Sequence, residues 1–142
     1  MSTTSSETAC MNYHKVCVII PTYNNHNTLK RVVDSVLNYT SNIIIVNDGS
    51  TDTTPQILST YPNLIQIHHP KNIGKGMALR NGFKKALELN YNYAITIDSD
   101  GQHFASDIPS FMKSLDIFPE TLLIGSRNMG QEGVPKKSSF GN

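Results

Sequence analysis

The segment Val16-Cys17-Val18-Ile19-Ile20-Pro21 decides the fold class of this chain. Its residues are apolar and mostly β-branched, and a proline ends the run, which is typical of a strand buried on both faces. Strands of that kind occur in parallel sheets that helices cover on both sides. The segment therefore predicts an α/β protein whose first strand spans residues 16–20.

Strand and helix patterns alternate along the rest of the chain. Further apolar runs predict strands at residues 43–46, 64–67, 93–97 and 122–124. Helix signals lie between them: Asn27 as a cap, Thr54-Pro55 as a start, an amphipathic repeat over residues 77–87, and a start near Ser106 or Asp107. This β-α-β-α-β-α-β-α-β order predicts a doubly wound, mainly parallel, Rossmann-like sheet that binds ligands at the carboxyl ends of its strands.

The composition is that of one ordinary domain. The chain has 142 residues, and residues 1–13 are rich in Ser and Thr, so we expect a flexible tail before a single domain at residues 14–142. Twelve basic and eleven acidic residues give a net charge of +1, which does not favour a nucleic acid as partner.

Cysteine usage and hydropathy predict the compartment. Cys10 lies in the polar tail and Cys17 in an apolar run, which is typical of an unlinked pair in a reducing environment. No apolar stretch approaches the roughly 20 residues that cross a bilayer, and residues 2–7 have no signal-peptide character. We therefore expect a soluble, cytoplasmic protein.

Polar motifs follow four of the predicted strands. They are Pro21-Thr22-Tyr23-Asn24, Asn47-Asp48-Gly49-Ser50, Asp98-Ser99-Asp100 and Gly125-Ser126-Arg127. Because the carboxyl ends of parallel strands meet at one edge of a sheet, these motifs should converge on one crevice.

Asp98 and Asp100 are the predicted metal ligands of that crevice. They lie two residues apart where Gly101 turns the chain, so both carboxylates can approach one ion. Oxygen ligands favour Mg²⁺ or Mn²⁺, which keep open positions for phosphate groups. Gln102 or His103 can add a ligand. Such an ion would neutralise the charge that builds on a departing diphosphate.

The acidic segment has three other interpretations: an ordinary turn, an EF-hand loop and a phosphatase motif. Asp-x-Asp-Gly also forms ordinary turns, and that interpretation stays open. An EF-hand loop needs glycine at its sixth position, whereas Gly101 is the fourth residue counted from Asp98. A haloacid-dehalogenase-type phosphatase resembles the segment more closely, but its pattern has Thr or Val where Gln102 stands and needs a later acidic pair.

The neighbouring motifs supply candidate nucleotide contacts. Asp48 can accept hydrogen bonds from the N–H groups of a base, and Tyr23 can stack on it. For Asp52, stabilisation of the following turn or helix start is favoured about two to one over contact with a ligand. The segment Lys71-Asn72-Ile73-Gly74-Lys75-Gly76 can bring backbone N–H groups and Lys75 to a phosphate. It lacks the glycine spacing of a P-loop or a dinucleotide fingerprint, which disfavours hydride transfer.

Basic residues lie late in the chain, and two adjacent histidines end the third predicted strand. Arg127, with Lys136 and Lys137, gives the late part of the crevice a positive character suited to an anion, although for the two lysines a solvated loop is the preferred interpretation. His68 and His69 end the third strand without the spacing of metal ligands, and we interpret both as structural.

Taken together, the motifs resemble family 2 glycosyltransferases of the GT-A fold. The resemblance rests on four segments in order: residues 18–25, residues 46–52, Asn72-x-Gly74, and Asp98-Ser99-Asp100-Gly101-Gln102-His103. The last of these, with Gly125-Ser126-Arg127 and Val134-Pro135-Lys136-Lys137, is most similar to the polyprenyl-phosphate (dolichyl-phosphate) mannosyl- or glucosyltransferase branch.

The resemblance implies a role for each matched residue. Pro21, Thr22, Tyr23, Asn24 and Asp48 would hold the nucleotide. Lys75 would lie near the phosphates and Asp98 near the ribose or diphosphate. Asp100 and Gln102, with Asp98, would coordinate Mn²⁺ or Mg²⁺, and Arg127 would hold phosphate groups. Members of the family continue past the acceptor loop around Lys136, so we expect further residues beyond Asn142.

The function that the resemblance implies is sugar transfer with inversion, from a UDP- or GDP-sugar to a lipid phosphate, a saccharide or a protein. A lipid phosphate acceptor would bring the enzyme to the inner face of the membrane as a peripheral protein. The alternative from another class is a fragment that binds nucleotide and metal without turnover, and the phosphatase is a lesser alternative.

Overall fold

A computed structural model of the chain describes residues 15–100, 108–109, 123–124 and 136–137. The elements in these ranges, in chain order, are β1 (Val16–Thr22), α1 (Leu29–Leu37), β2 (Ile43–Asn47), α2 (Thr54–Leu58), β3 (Ile65–His68), α3 (Lys75–Glu88), β4 (Tyr93–Thr96), β5 (Leu123–Ile124) and β6 (Lys136–Lys137).

The first four strands form one parallel sheet in the order β3-β2-β1-β4. In the centre of this sheet, Ile19 of β1 is in register with Ile44 of β2 and Thr96 of β4. Every residue of β1 and β2 is buried, whereas β3, at an edge, is partly exposed. The predicted parallel α/β sheet is confirmed.

Alternate residues of β1 face two apolar layers. Val16, Val18 and Ile20 pack with the apolar face of α1. Cys17 and Ile19 face the other way, into the layer that includes small residues of α3. Burial raises the pKa of the Cys17 thiol to about 12, although a backbone hydrogen bond opposes the shift, and Cys17 is a free cysteine. Helices thus cover both faces of the sheet, as the strand pattern predicts.

Helix α3 approaches the sheet closely because its buried residues are small, namely Ala78, Gly82 and Ala86. A Cβ atom at Gly82 would lie 2.7 Å from Cγ2 of Ile19. This close approach fixes the height of α3 above the sheet and, with it, the place where the helix begins.

Some predicted boundaries differ from the structure. Asn27 is not the cap of α1; Thr28 occupies that position, and its hydroxyl donates to the Ser99 carbonyl at 2.5 Å instead of capping the helix. A contact beyond the helix therefore overrides the local capping preference. The strand predicted at residues 122–124 is β5, which lies near β4 but pairs with β6 in an antiparallel ribbon.

Several sequence predictions lie outside the described residues: the tail at residues 1–13, the helix start near Ser106 or Asp107, and the segments containing Gln102, His103 and Arg127. Among the described helices, none is both long and apolar enough to cross a bilayer.

Candidate functional site

A cleft of about 370 Å³ opens where β1, β2 and β4 end and α3 begins. The lining comes from β1, from the loops after β1, β2 and β4, from the loop before α3, and from the first turn of α3. Its residues are Pro21, Thr22, Tyr23, Asn25, Asp48, Asn72, Gly74, Lys75, Ala78, Asp98, Ser99 and Asp100. The cleft lies at the carboxyl ends of parallel strands, where the topology predicts a ligand site.

Seven of the predicted site residues line this cleft together: Pro21, Thr22, Tyr23, Asp48, Lys75, Asp98 and Asp100. Asn24, also predicted to bind nucleotide, is not in the lining, and its neighbour Asn25 is. Gln102 and Arg127 lie outside the described residues. The convergence of three strand ends on one cleft agrees with the sequence analysis, and the roles of the residues stay predictions.

The acidic side of the cleft contains Asp98, Ser99 and Asp100, directly after β4. Lys75, at the start of α3, forms an ion pair with Asp98 with Nζ and Oδ1 2.6 Å apart. The lysine side chain is 60% exposed and the aspartate 17%, so solvent reaches the pair. An exposed ion pair contributes little to stability and can exchange partners readily.

The donor set of this side fits a hard divalent cation. The described part of the chain contains no cluster of three or more His, Cys, Asp or Glu that could hold a metal ion. Mg²⁺ is typically held by one or two carboxylates and completes its shell with water and substrate phosphates. Asp98 and Asp100 supply that number of carboxylates within one cleft.

Asp48 has a different environment, because its own chain surrounds its carboxylate with donors. Oδ1 accepts from Nδ1 of His69 at 2.8 Å and from the Ile73 N–H at 2.9 Å. Oδ2 accepts from Nδ2 of Asn72 at 3.0 Å and from the Gly74 N–H at 2.9 Å. These four bonds fill the acceptor positions of a carboxylate. Contact with a base N–H would therefore require one of the four donors to leave.

The ionisation of Asp48 follows from these contacts. The residue is 3% exposed, and this burial opposes ionisation. Hydrogen bonds from His69, Ile73 and Gly74 outweigh the burial and hold the pKa of Asp48 below its ordinary value. Asp48 is thus an ionised anchor for the loop at residues 69–74, which leads into α3.

His69 is a residue of this network that the sequence analysis left outside the site. Its side chain is 7% exposed, and Nδ2 of Asn81, on α3, lies 2.9 Å from its Nε2. The structural interpretation of His69 agrees with these contacts. The sequence gives no signal for them, because His69 and Asp48 are 21 residues apart.

Asn24 and Asp52 connect the loop after β1 to the loop after β2. Oδ1 of Asn24 accepts from the Thr51 N–H at 2.8 Å, and the backbone of Asn24 has a φ of 54°. Asp52 accepts from the Thr54 N–H at 2.9 Å, at the start of α2, and from Nδ1 of His26 at 2.7 Å. The helix-start interpretation of Asp52 is confirmed, and the side chain of Asn24 serves the same loop contact.

Tyr23 and Thr22 border the remaining side of the cleft. Tyr23 is 45% exposed, so one face of its ring can receive a flat ligand. The Thr22 hydroxyl is buried and has no hydrogen-bond partner among the described residues. A buried hydroxyl without a partner costs free energy, which a ligand in the cleft can recover by hydrogen bonding.

Solved structures of other proteins share the fold of this chain. Glucosyl-3-phosphoglycerate synthase from Mycobacterium tuberculosis, crystallised with UDP, matches with a TM-score of 0.62 at 23% identity, over 81% of this chain and 44% of that chain. S. aureus TarS gives a TM-score of 0.60 at 24% identity, over 72% of this chain and 32% of that chain. These likenesses define the fold, which is the GT-A fold of glycosyltransferases.

The sequence model described as glycosyl transferase family 2 matches residues 17–139. The chain belongs to this family. The motif resemblance to family 2 is therefore confirmed, and the match leaves the phosphatase alternative without support.

Curated relatives carry names from the polyprenyl-phosphate branch. A UDP-N-acetylglucosamine–dolichyl-phosphate N-acetylglucosaminyltransferase of Methanococcus voltae is 35% identical over 129 residues, which cover 79% of this chain and 51% of that protein. An undecaprenyl-phosphate mannosyltransferase of Micrococcus luteus is 32% identical, over 81% of this chain and 49% of that protein. The predicted branch is confirmed, and the chain spans about half the length of these relatives.

Proposed function

We propose that this chain forms the donor-binding part of an inverting glycosyltransferase, which moves a sugar from a nucleotide sugar to a polyprenyl phosphate. The observation that carries the proposal is a single cleft lined by Asp98, Asp100, Lys75 and the exposed ring of Tyr23. It offers carboxylates for a cation, a lysine for a phosphate and an aromatic face for a base.

The nucleotide would lie along the ends of β1 and β2. Tyr23 would stack on the base, and the unpartnered Thr22 hydroxyl would donate to it or accept from it. UDP is the first candidate, since a relative at 35% identity is named for a UDP-sugar and S. aureus TarS has been crystallised with UDP. GDP is the second, because mannosyltransferases stand among the relatives.

A divalent cation would bind at the acidic side of the cleft. Asp98 and Asp100 would hold Mn²⁺ or Mg²⁺, with Gln102 as the predicted third ligand. When bound, the ion neutralises the charge that develops on the leaving diphosphate. Lys75 would then leave Asp98 for a phosphate oxygen, so the same lysine serves both states. Solved glucosyl-3-phosphoglycerate synthase structures hold UDP with Mn²⁺ or Mg²⁺.

The reaction is an in-line displacement at the anomeric carbon. An acceptor oxygen forms the new bond while the bond from that carbon to the diphosphate oxygen breaks, and the configuration inverts. A polyprenyl phosphate carries an anionic nucleophile near neutral pH, so little is required of a general base. Arg127 would hold phosphate groups, and the acceptor would be met at the inner face of the membrane. Saccharide and protein acceptors are the alternatives.

Calorimetric titration with UDP and with GDP, each with and without Mn²⁺, tests the donor site. We expect binding that depends on Mn²⁺ and weakens at least about tenfold in Asp100→Ala, because the ion loses a ligand. Glu88→Ala is the matched control, since this carboxylate is 53% exposed at the far end of α3. Absence of binding by a folded wild-type chain, with either nucleotide, would contradict the proposal.

A second candidate function, binding without turnover, is favoured by one observation. The described cleft supplies groups for a donor, and the chain spans about half the length of the relatives it matches. Transfer of radiolabelled sugar to a polyprenyl phosphate distinguishes the two. Product formed by this chain supports the enzyme, whereas nucleotide binding without product supports the second candidate.

A further inference from the structure

The loop at residues 69–74 separates β3 from the start of α3, and its placement sets where Lys75 enters the cleft. All four donors to Asp48 belong to this loop. His69 is its first residue, directly after β3, and Asn72, Ile73 and Gly74 are its last three. The position of the loop therefore depends on how the Asp48 carboxylate is oriented.

Backbone packing adds a second constraint at the same place. A Cβ atom at Gly49 would lie 2.2 Å from the carbonyl carbon of Lys71 and 2.3 Å from the nitrogen of Asn72. The turn after β2 and the loop are thus in direct backbone contact.

Both ring nitrogens of His69 have a hydrogen-bond partner. An ionised carboxylate only accepts, so Nδ1 of His69 donates to Asp48 across 2.8 Å. Nε2 lies 2.9 Å from the amide nitrogen of Asn81 on α3. The imidazole is thus fixed by α3 on one side and donates to Asp48 on the other.

We propose that His69 is a positioning residue of the donor cleft. Fixed by Asn81, its imidazole orients Asp48, and Asp48 in turn holds the loop and the start of α3. Lys75 consequently stands beside Asp98, where a diphosphate would bind. This inference rests on the proposed function, since it concerns the same cleft, but it assigns a role to a side chain that does not touch the ligand.

A double-mutant cycle tests the route from His69 to Lys75. We expect His69→Ala to weaken Mn²⁺-dependent UDP binding about tenfold, the scale of losing one hydrogen bond to a charged group. In the Lys75→Ala background the same substitution should cost less than about twofold, because the lysine that it positions is gone. Equal losses in both backgrounds would overturn the proposal, since His69 would then act independently of Lys75.

Matched variants separate positioning from a general loss of structure. His68→Ala is the control, because His68 contacts Asn47 and Gln66 on the exposed edge strand and not Asp48. His69→Asn should restore most of the affinity, since an amide N–H can donate to Asp48 from nearly the same place. Nucleotide affinity unchanged in His69→Ala would overturn this inference alone, whereas binding of neither UDP nor GDP by the wild type would overturn it together with the proposed function.

The Nδ1 proton of His69 provides a readout that needs no variant to fold. Long-range ¹H–¹⁵N spectra of the wild-type chain should show a protonated Nδ1 for His69, because this nitrogen donates to Asp48. An unprotonated Nδ1 would contradict the arrangement and with it the positioning role.

Discussion

Two carboxylates border the same cleft from strands on opposite sides of β1, and their surroundings differ. Asp48, after β2, has a side chain that is 4% exposed and accepts four hydrogen bonds from its own chain. Asp98, after β4, is 17% exposed and pairs with a lysine that is 60% exposed. One carboxylate is therefore committed to holding the cleft in shape, and the other stands beside a partner that a ligand can replace.

The difference shows that equivalent positions in a parallel sheet need not have equivalent functions. Both residues follow a buried strand, and both line the cleft. Exposure and the kind of partner distinguish the anchor from the candidate ligand: Asp48 is held by a buried loop network, whereas Asp98 pairs with an exposed lysine. The comparison yields four predictions, each on a substitution in one of the two regions.

The largest effect on stability is expected from Asp48→Ala. Removal of the carboxylate leaves His69, Asn72 and two backbone N–H groups without their acceptor, and we expect a loss of about 4 kcal/mol in the free energy of unfolding. Urea denaturation measures it. Glu88→Ala is the control, since its ion pair with Lys85 is exposed and its loss should cost less than about 1 kcal/mol. Equal losses in the two variants would remove the distinction between anchor and surface carboxylate.

Gly49→Ala tests the backbone contact beside that anchor. The φ of Gly49 is 73°, and an added Cβ would collide with the backbone of Lys71 and Asn72, so we expect a loss of about 3 kcal/mol. Gly74 has a φ of 104° and a ψ of 151°, a conformation essentially restricted to glycine, but open space around its Cβ, so Gly74→Ala should cost about 2 kcal/mol from backbone strain alone. Thermal denaturation of both separates collision from backbone strain, and a smaller loss at Gly49 than at Gly74 would refute the close contact.

These two regions also mark what the sequence could predict. The runs of β-branched residues predict the strands, and the rule that parallel strands end at one edge predicts that Tyr23, Asp48 and Asp98 share a cleft. Both inferences need only local patterns and a known topology. The family resemblance predicted Lys75 near the phosphates and Asp98 near the ribose or diphosphate, and these two side chains form an ion pair in the structure. Their roles towards a nucleotide stay predictions.

The commitment of Asp48 could not be predicted, because its donors lie 21 to 26 residues further along the chain, in a loop without regular structure. The same holds for Asn24, whose motif suggested nucleotide contact while its amide bonds the loop after β2, 27 residues away. Such contacts depend on how two loops pack, and hydrophobic periodicity carries no information about that packing.

Asp52→Asn gives a smaller, pH-dependent effect in the anchored region. Burial opposes ionisation here, but hydrogen bonds from Thr54 and His26 hold the pKa of Asp52 well below its usual range. A carboxyl whose pKa is lower in the folded state stabilises fully above its unfolded pKa, about 3.9, and loses this contribution as the pH falls through the folded value. We expect the variant to be about 1.5 kcal/mol less stable at pH 7. The difference in the free energy of unfolding between the variant and the wild type should narrow below about pH 4. A constant difference down to about pH 2 would show that the ionised carboxylate is not its cause.

Asp98→Asn should have the smallest effect on stability and a large effect on binding. The ion pair with Lys75 is solvent-accessible, so we expect the free energy of unfolding to change by less than about 1 kcal/mol. Mn²⁺-dependent UDP affinity should nevertheless fall at least about tenfold, because the neutral amide is a poor ligand for a hard cation.

Lys85→Ala removes a comparable lysine pair from the other end of α3 and should change neither quantity appreciably. Calorimetry and urea denaturation on the same preparations give both numbers. A stability loss in Asp98→Asn as large as that in Asp48→Ala would mean that both carboxylates are anchors, and the metal site would then have to be sought elsewhere in the chain.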